Sequence, residues 1–221
     1  MHIPDGFVNG TINLAGFGAS AICCSYSIRK INRTMDERHI PLLGVTSAFI
    51  FAAQMINFPI AGGTSGHFLG ALMAAILMGP WASCLIMSLV LTIQCLGFAD
   101  GGITALGTNI FNMGIIGGVF SYYIFIFLKA ILPKNRGGFL TSSAIASWFS
   151  VVASSAFCAI ELGLSGTAPL KIILPAMLGV HTVIGIGEAI VTTAVLSSVL
   201  AARSDLIISM KQVQGKQWKE V

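Results

Sequence analysis

The chain has 221 residues, 55% of them hydrophobic and only 9% charged, with a net charge of +4 and a mean hydropathy of +0.88. Soluble domains carry roughly 25% charged residues, so the composition excludes a soluble globular protein and points to an integral membrane protein. The positive charge does not indicate a nucleic-acid partner, because the basic residues cluster in the segments that separate apolar blocks.

A helix needs about 20 mostly apolar residues to cross roughly 30 Å of hydrocarbon. Breaks at charges, Gly and Pro give a Gly-rich block at 8–28, then "PLLGVTSAFIFAAQMINF" at 41–58 and the short "HFLGALMAAILMG" at 67–79. After Pro80 comes "WASCLIMSLVLTIQCLGF" at 81–98, followed by blocks at 104–129, 139–162 and 171–202, the last expected to tilt or bend near Pro175. The pattern predicts an all-α polytopic bundle of seven transmembrane helices in one domain, 1–203, followed by a basic tail, 204–221. Blocks 67–79 and 81–98 can be read as two spans or as one broken re-entrant unit.

Lys and Arg set the orientation. Arg29, Lys30, Arg33 and Arg38 lie in 29–39; Lys129, Lys134 and Arg136 follow the fifth block; Arg203, Lys211, Lys216 and Lys219 lie in the tail. With seven spans these segments share one face, and eleven of the twelve basic residues lie there, Lys171 alone opposite. The positive-inside rule makes that face cytoplasmic. The amino terminus is then outside, as are loops 59–67, 99–103 and 162–170, in a multi-pass protein of the cell (inner) membrane. No removable signal peptide is evident.

That orientation puts His2 and His67 on the same side. The bulk of His2 is expected to preserve Met1, leaving a free α-amine. Amine, His2 amide nitrogen and His2 Nδ1 can then chelate a metal through a five- and a six-membered ring, nearly coplanar because the peptide is flat. Such a nitrogen plane suits Ni(II) and Cu(II), with Co(II) possible. Zn(II) prefers a tetrahedron, and Ca(II) and Mg(II) prefer oxygen ligands. His67, closing a Gly-rich loop, is the candidate fourth ligand, and Gly62, Gly63 and Gly66 let that loop fold inward. The five cysteines, Cys23, Cys24, Cys84, Cys95 and Cys158, lie inside apolar runs and read as small buried hydrophobes.

"MHIPDG", "GGTSGH" followed by "LGA", "GPW", "DGGITALGTNIFNMG" and "GVHTVIGIGEAIVT" together resemble the CbiM/NikM family, the substrate-binding membrane subunits (S components) of energy-coupling-factor transporters for cobalt and nickel. The resemblance runs in order from residue 1 to about 200. It implies seven helices and a metal held by the Met1 amine, the main-chain and side-chain nitrogens of His2, and His67. It also implies a transmembrane coupling (T) protein, paired ATPase subunits and often a small accessory membrane subunit as partners. The chain itself would be no enzyme and would need no cofactor beyond the transported ion; it contains no GxxxxGK[ST] phosphate loop. Nickel is slightly favoured on the chemistry of the planar site, and neighbouring cobalamin-synthesis genes would instead point to cobalt.

Around the site, Thr64 and Ser65 are placed to bond the His67 ring or the loop backbone. Asn109 and Asn112 on the fifth helix would brace the terminal segment or bond between helices. His181 and Glu188 share a face of the seventh helix and read as bracing residues. Asp100 would attract cations or close its loop, and Glu161 has no assigned role. Ala15 with Ala19, and Ala48 with Ala52, allow close helix approach; by resemblance, Ala48 and Ala52 would meet the coupling protein. Two rival functions remain at this stage. One is a self-sufficient secondary transporter or channel using His181 and Glu188 as a proton relay, which uptake by the purified chain alone would single out. The other is a metal hydrolase, which would need an open coordination position.

Overall fold

In the computed structural model, residues 1–60 and 64–209 are described, without the side chains of Arg38 and Phe58. The expectations for Gly62, Gly63, Lys211, Lys216 and Lys219 lie outside the described residues.

Among the described residues seven main helices form, as expected: α1 Gly10–Thr34, α2 Ile40–Gln54, α3 Ala71–Met78, α4 Pro80–Phe98, α5 Leu106–Ile131, α6 Arg136–Leu164 and α7 Leu170–Arg203. Five are long and apolar enough to cross a membrane; α2, at 15 residues, is shorter. The chain is a multi-pass membrane protein.

Several boundaries differ from the sequence reading, each for a local reason. α1 runs on to Thr34 through Arg29, Lys30 and Arg33, which favour helix as well as apolar residues do and need not lie within hydrocarbon. α2 stops at Gln54, and Phe58–Ile60 (β1) and Thr64–Gly66 (β2) pair antiparallel, with Pro59 opposite Ser65. The described parts of the expected loop 59–67 are therefore largely paired strand, and that pairing satisfies backbone groups that would otherwise go unmet in an apolar bundle.

The broken unit is also resolved. α3 has eight residues, about 12 Å at 1.5 Å per residue, too short to cross alone, and every one is buried. Gly79, at φ 89°, turns the chain directly into α4, a conformation L-residues avoid. α3 is thus a core plug enclosed by α4, α5 and α6, and His67 lies just ahead of it rather than at a helix start.

α5 widens to a π-helical pattern over Phe111–Phe120. Hydroxyls take up carbonyls around this region: Ser150 Oγ donates to Gly117 O at 2.6 Å, Ser121 Oγ to Ile116 O at 2.8 Å, and Ser83 Oγ to Ala71 O at 2.6 Å. α1 meets α5 at Gly16, where a Cβ would fall 2.6–2.9 Å from Thr108. The close approach expected at Ala15 and Ala19 is made by this glycine, and Ala15 is exposed. Pro175 lies within an otherwise continuous α7. At the far end, the start of the tail packs onto the bundle: Ile207 and Ser209 are buried, and Lys129 Nζ donates to Ser209 O at 3.1 Å.

Candidate metal centre

The amino terminus does not trail from the bundle. Residues 1–9 descend into its end between β2, the 99–104 loop and the α6–α7 turn. Met1 and Ile3 are 0% exposed and His2 3%. The segment is held residue by residue. Ile3 N–H donates to Asn109 Oδ1 at 2.9 Å, and Ile3 O accepts from Asn109 Nδ2 at 3.1 Å and Gly102 N–H at 2.8 Å. Asp5 Oδ1 accepts from the Thr104 amide at 2.7 Å and its hydroxyl at 2.6 Å. Thr167 Oγ1 donates to Phe7 O, and Asn9 N–H to Ser165 Oγ at 3.1 Å. Asn9 then caps α1 by accepting from Ile12 N–H at 3.0 Å. Gly102 is required here, because a Cβ would lie 2.3 Å from Asp5 N.

This anchoring brings the Met1 amine, the His2 amide and the rings of His2 and His67 together. The Met1 amine donates to Ser65 O and lies 3.2 Å from Ser65 Oγ and 3.1 Å from His67 Nε2. The His2 amide nitrogen is 3.4 Å from Ser65 Oγ. The rings of His2 and His67 are 4.6 Å apart at 42°. His67 Nδ1 is 2.7 Å from Phe68 O, which assigns its proton to Nδ1 and leaves the Nε2 lone pair facing the amine. Burial pushes the Met1 amine from its ordinary 8.0 down to about 5. Burial first, then the neighbouring amine, holds both imidazoles well below their ordinary range. All three groups are therefore neutral at pH 7, with lone pairs available for a ligand. Among the described residues, no three His, Cys, Asp or Glu side chains converge on one metal position. The candidate set depends instead on backbone nitrogens together with two imidazoles.

The supporting residues sort differently from the sequence reading. Ser65 contacts Met1 and His2 rather than the His67 ring. Thr64 turns away, donating to Met177 Sδ at 3.0 Å. Asn109 braces the terminus, but Asn112 instead donates to Glu161 Oε2 on α6, which gives Glu161 its partner. His181 is fully buried; its Nδ1 is 2.8 Å from Met177 O within its own helix, and its Nε2 has no hydrogen-bond partner among the described residues.

Glu188 reaches across from α7 and accepts from the amides of Leu69 and Gly70, both at 2.7 Å. It thereby fixes the strip that carries His67. Gln54 Nε2 secures the same strip from α2, donating to Leu69 O at 2.7 Å. The sequence reading missed Gln54; an amide inside an apolar helix was the available signal. Cys158 Sγ lies 4.0 Å from Met1 O, and all five cysteines are free. Ala48 and Ala52 are exposed on α2.

Asn109→Ala leaves the Ile3 N–H buried without a partner, at a cost of about 1–3 kcal/mol. The expected result is a lower melting temperature in detergent and faster hydrogen exchange in residues 1–9. Unchanged exchange there would show that Asn109 is not what anchors the segment.

Comparison with known proteins bears on the same arrangement. Residues 2–206 match the CbiM family model, described as "Cobalt uptake substrate-specific transmembrane region". A protein of Archaeoglobus fulgidus named "Putative fused nickel transport protein NikMN" is 42% identical over 218 residues, 98% of this chain and 70% of the relative. The "Fused nickel transport protein NikMN" of Rhodobacter capsulatus is 33% identical over 94% of this chain, which spans 64% of that longer relative. A crystal structure described as a transition metal transporter superposes with a TM-score of 0.84 at 33% identity, covering 98% of this chain and 100% of its own. The match extends over nearly the whole chain, terminal segment included, and the chain belongs to the CbiM family of cobalt and nickel transport proteins.

Proposed function

We propose that this chain is the substrate-binding membrane subunit of an energy-coupling-factor importer, taking Ni(II) or Co(II) from outside the cell. The observation that carries the reading is the burial of the Met1 amine 3.1 Å from His67 Nε2, beside the His2 ring. Amine, ionised His2 amide, His2 imidazole and His67 Nε2 form a four-nitrogen set whose first three members are held near one plane by the peptide. That geometry suits nickel best and admits cobalt. Four nitrogens close the plane, leaving little room for the bound water that a metal hydrolase would need.

The end of the bundle carrying the site would face outward. The opposite end, with Arg29, Lys30, Arg33, Arg136 and Arg203, would face the cytoplasm, as the positive-inside rule requires. Transport would depend on a transmembrane coupling protein and paired ATPases, often accompanied in this transporter class by a small accessory subunit. The exposed Ala48 and Ala52 on α2 offer a close-packing face for the coupling protein.

Binding should release one proton from the His2 amide, while the amine and imidazoles release none at neutral pH because they are already neutral. The logarithm of Ni(II) affinity is therefore expected to fall by about one per pH unit as pH drops from 8 to 6. It should fall more steeply below about 5, where the Met1 amine protonates. Titration of the purified chain with Ni(II) at several pH values, read by the visible absorption of planar nickel, checks this. Affinity independent of pH between 6 and 8 would rule out amide ligation.

A further inference from the structure

His2 Nε2 is buried and has no hydrogen-bond partner among the described residues. Asp100 Oδ2 lies 3.9 Å from it. Both residues line a vestibule of about 490 Å³, walled also by Asp5, Asn57 and Ser65. Asp100 follows Ala99, the left-handed cap of α4, and its own N–H donates to Gln94 O at 3.0 Å. Its carboxylate accepts from Asn57 Nδ2 at 3.1 Å. The backbone is thus pinned, while the side chain is half-buried and open to the vestibule.

Resting on the reading above, we infer that Asp100 is the positioning residue for the His2 ligand: as a carboxylate it accepts a hydrogen bond from Nε2–H when the ring binds the ion and supplies the charge that neutralises the loaded site. Two independent considerations lead there. Ligation through Nδ1 puts the remaining proton on Nε2, and a buried N–H needs an acceptor. Metal-bound imidazoles characteristically give that proton to a carboxylate or carbonyl, which fixes ring orientation and raises ligand basicity. Closing the gap from 3.9 Å to hydrogen-bond distance takes about 1 Å of side-chain movement. The second consideration is charge. A divalent ion with one ionised amide and three neutral nitrogens carries a net +1 in a site closed to water. Such a charge is costly unless paired, and Asp100 brings the sum to zero.

The other described acids near the site are engaged elsewhere. Asp5 Oδ1 is engaged by Thr104, and Glu161 and Glu188 are committed to Asn112 and to the 69–70 backbone.

The test uses the full chain with an unmodified amino terminus. Asp100→Ala and the near-isosteric Asp100→Asn are expected to bind Ni(II) one to one but 10- to 100-fold more weakly, with Asp100→Glu recovering part of the loss. In protein carrying ¹⁵N-labelled histidine and loaded with Ni(II), diamagnetic when planar, the His2 Nε2 proton should resonate far downfield and move upfield in Asp100→Asn. A purely structural role would lower melting temperature without moving that resonance. Affinity within twofold of wild type in both variants, or an unmoved resonance, would overturn the assignment. Wild-type chain that binds no Ni(II) at all would overturn the metal-binding reading itself, and the role of Asp100 with it.

Discussion

Chain extended by a few residues ahead of Met1, or acetylated there, is expected to lose Ni(II) and Co(II) binding by roughly 10³-fold, about 4 kcal/mol. Two effects combine. Acylation turns the amine into an amide, whose nitrogen offers no lone pair until it is ionised. The added atoms also have no room, because the amine is enclosed by Ser65 and His67 and Met1 is wholly buried. The added residues would have to displace the segment that Asn109, Gly102 and Thr104 hold in place. Equilibrium dialysis against radioactive nickel, with a carboxy-terminally tagged chain as control, measures the effect. Stoichiometric binding retained by the acetylated chain would dispose of the terminal chelate.

His67→Ala is expected to weaken Ni(II) binding by roughly 10²-fold, about 3 kcal/mol, and to change the absorption of the bound ion. The Met1–His2 chelate survives this substitution, so binding is weakened rather than lost, and water takes the vacated position. The loss should be smaller than that from blocking Met1, because one ligand goes rather than the anchor of a fused double ring. The fold is expected to persist: Glu188 and Gln54 hold Leu69 and Gly70 independently of the imidazole. A competition titration with a coloured chelator reads the affinity, and an unchanged spectrum with unchanged affinity would remove His67 from the ligand set.

The helices were legible because their cause is local. Apolar runs of span length, interrupted by Lys, Arg, Gly and Pro, gave seven helices whose boundaries erred by a few residues at either end. The hairpin 58–66 and the eight-residue α3 were less legible. The Gly-rich stretch 59–67 reads as a loop, with no strand pattern, and in apolar sequence hydropathy does not separate a spanning helix from a buried plug such as α3. Thr64 and Asn112 were placed with the site because each neighbours a residue that belongs there. One position along β2 reverses the face on which a side chain lies, so Ser65 meets the terminus while Thr64 meets α7. Three positions along α5 send Asn109 to Ile3 and Asn112 to Glu161.

The sequence by itself determined the chemical possibility: a terminal amine, an amide and an imidazole in consecutive order, a set that follows from covalent bonds alone. Only the tertiary structure decided where those groups lie and what surrounds them. It buried the terminus, which keeps its amine neutral, and brought a residue 66 positions away to 3.1 Å from it. It also left one edge of His2 facing Asp100 across a gap about 1 Å longer than a hydrogen bond. Such contacts arise from packing between distant segments, and no local pattern in the chain encodes them.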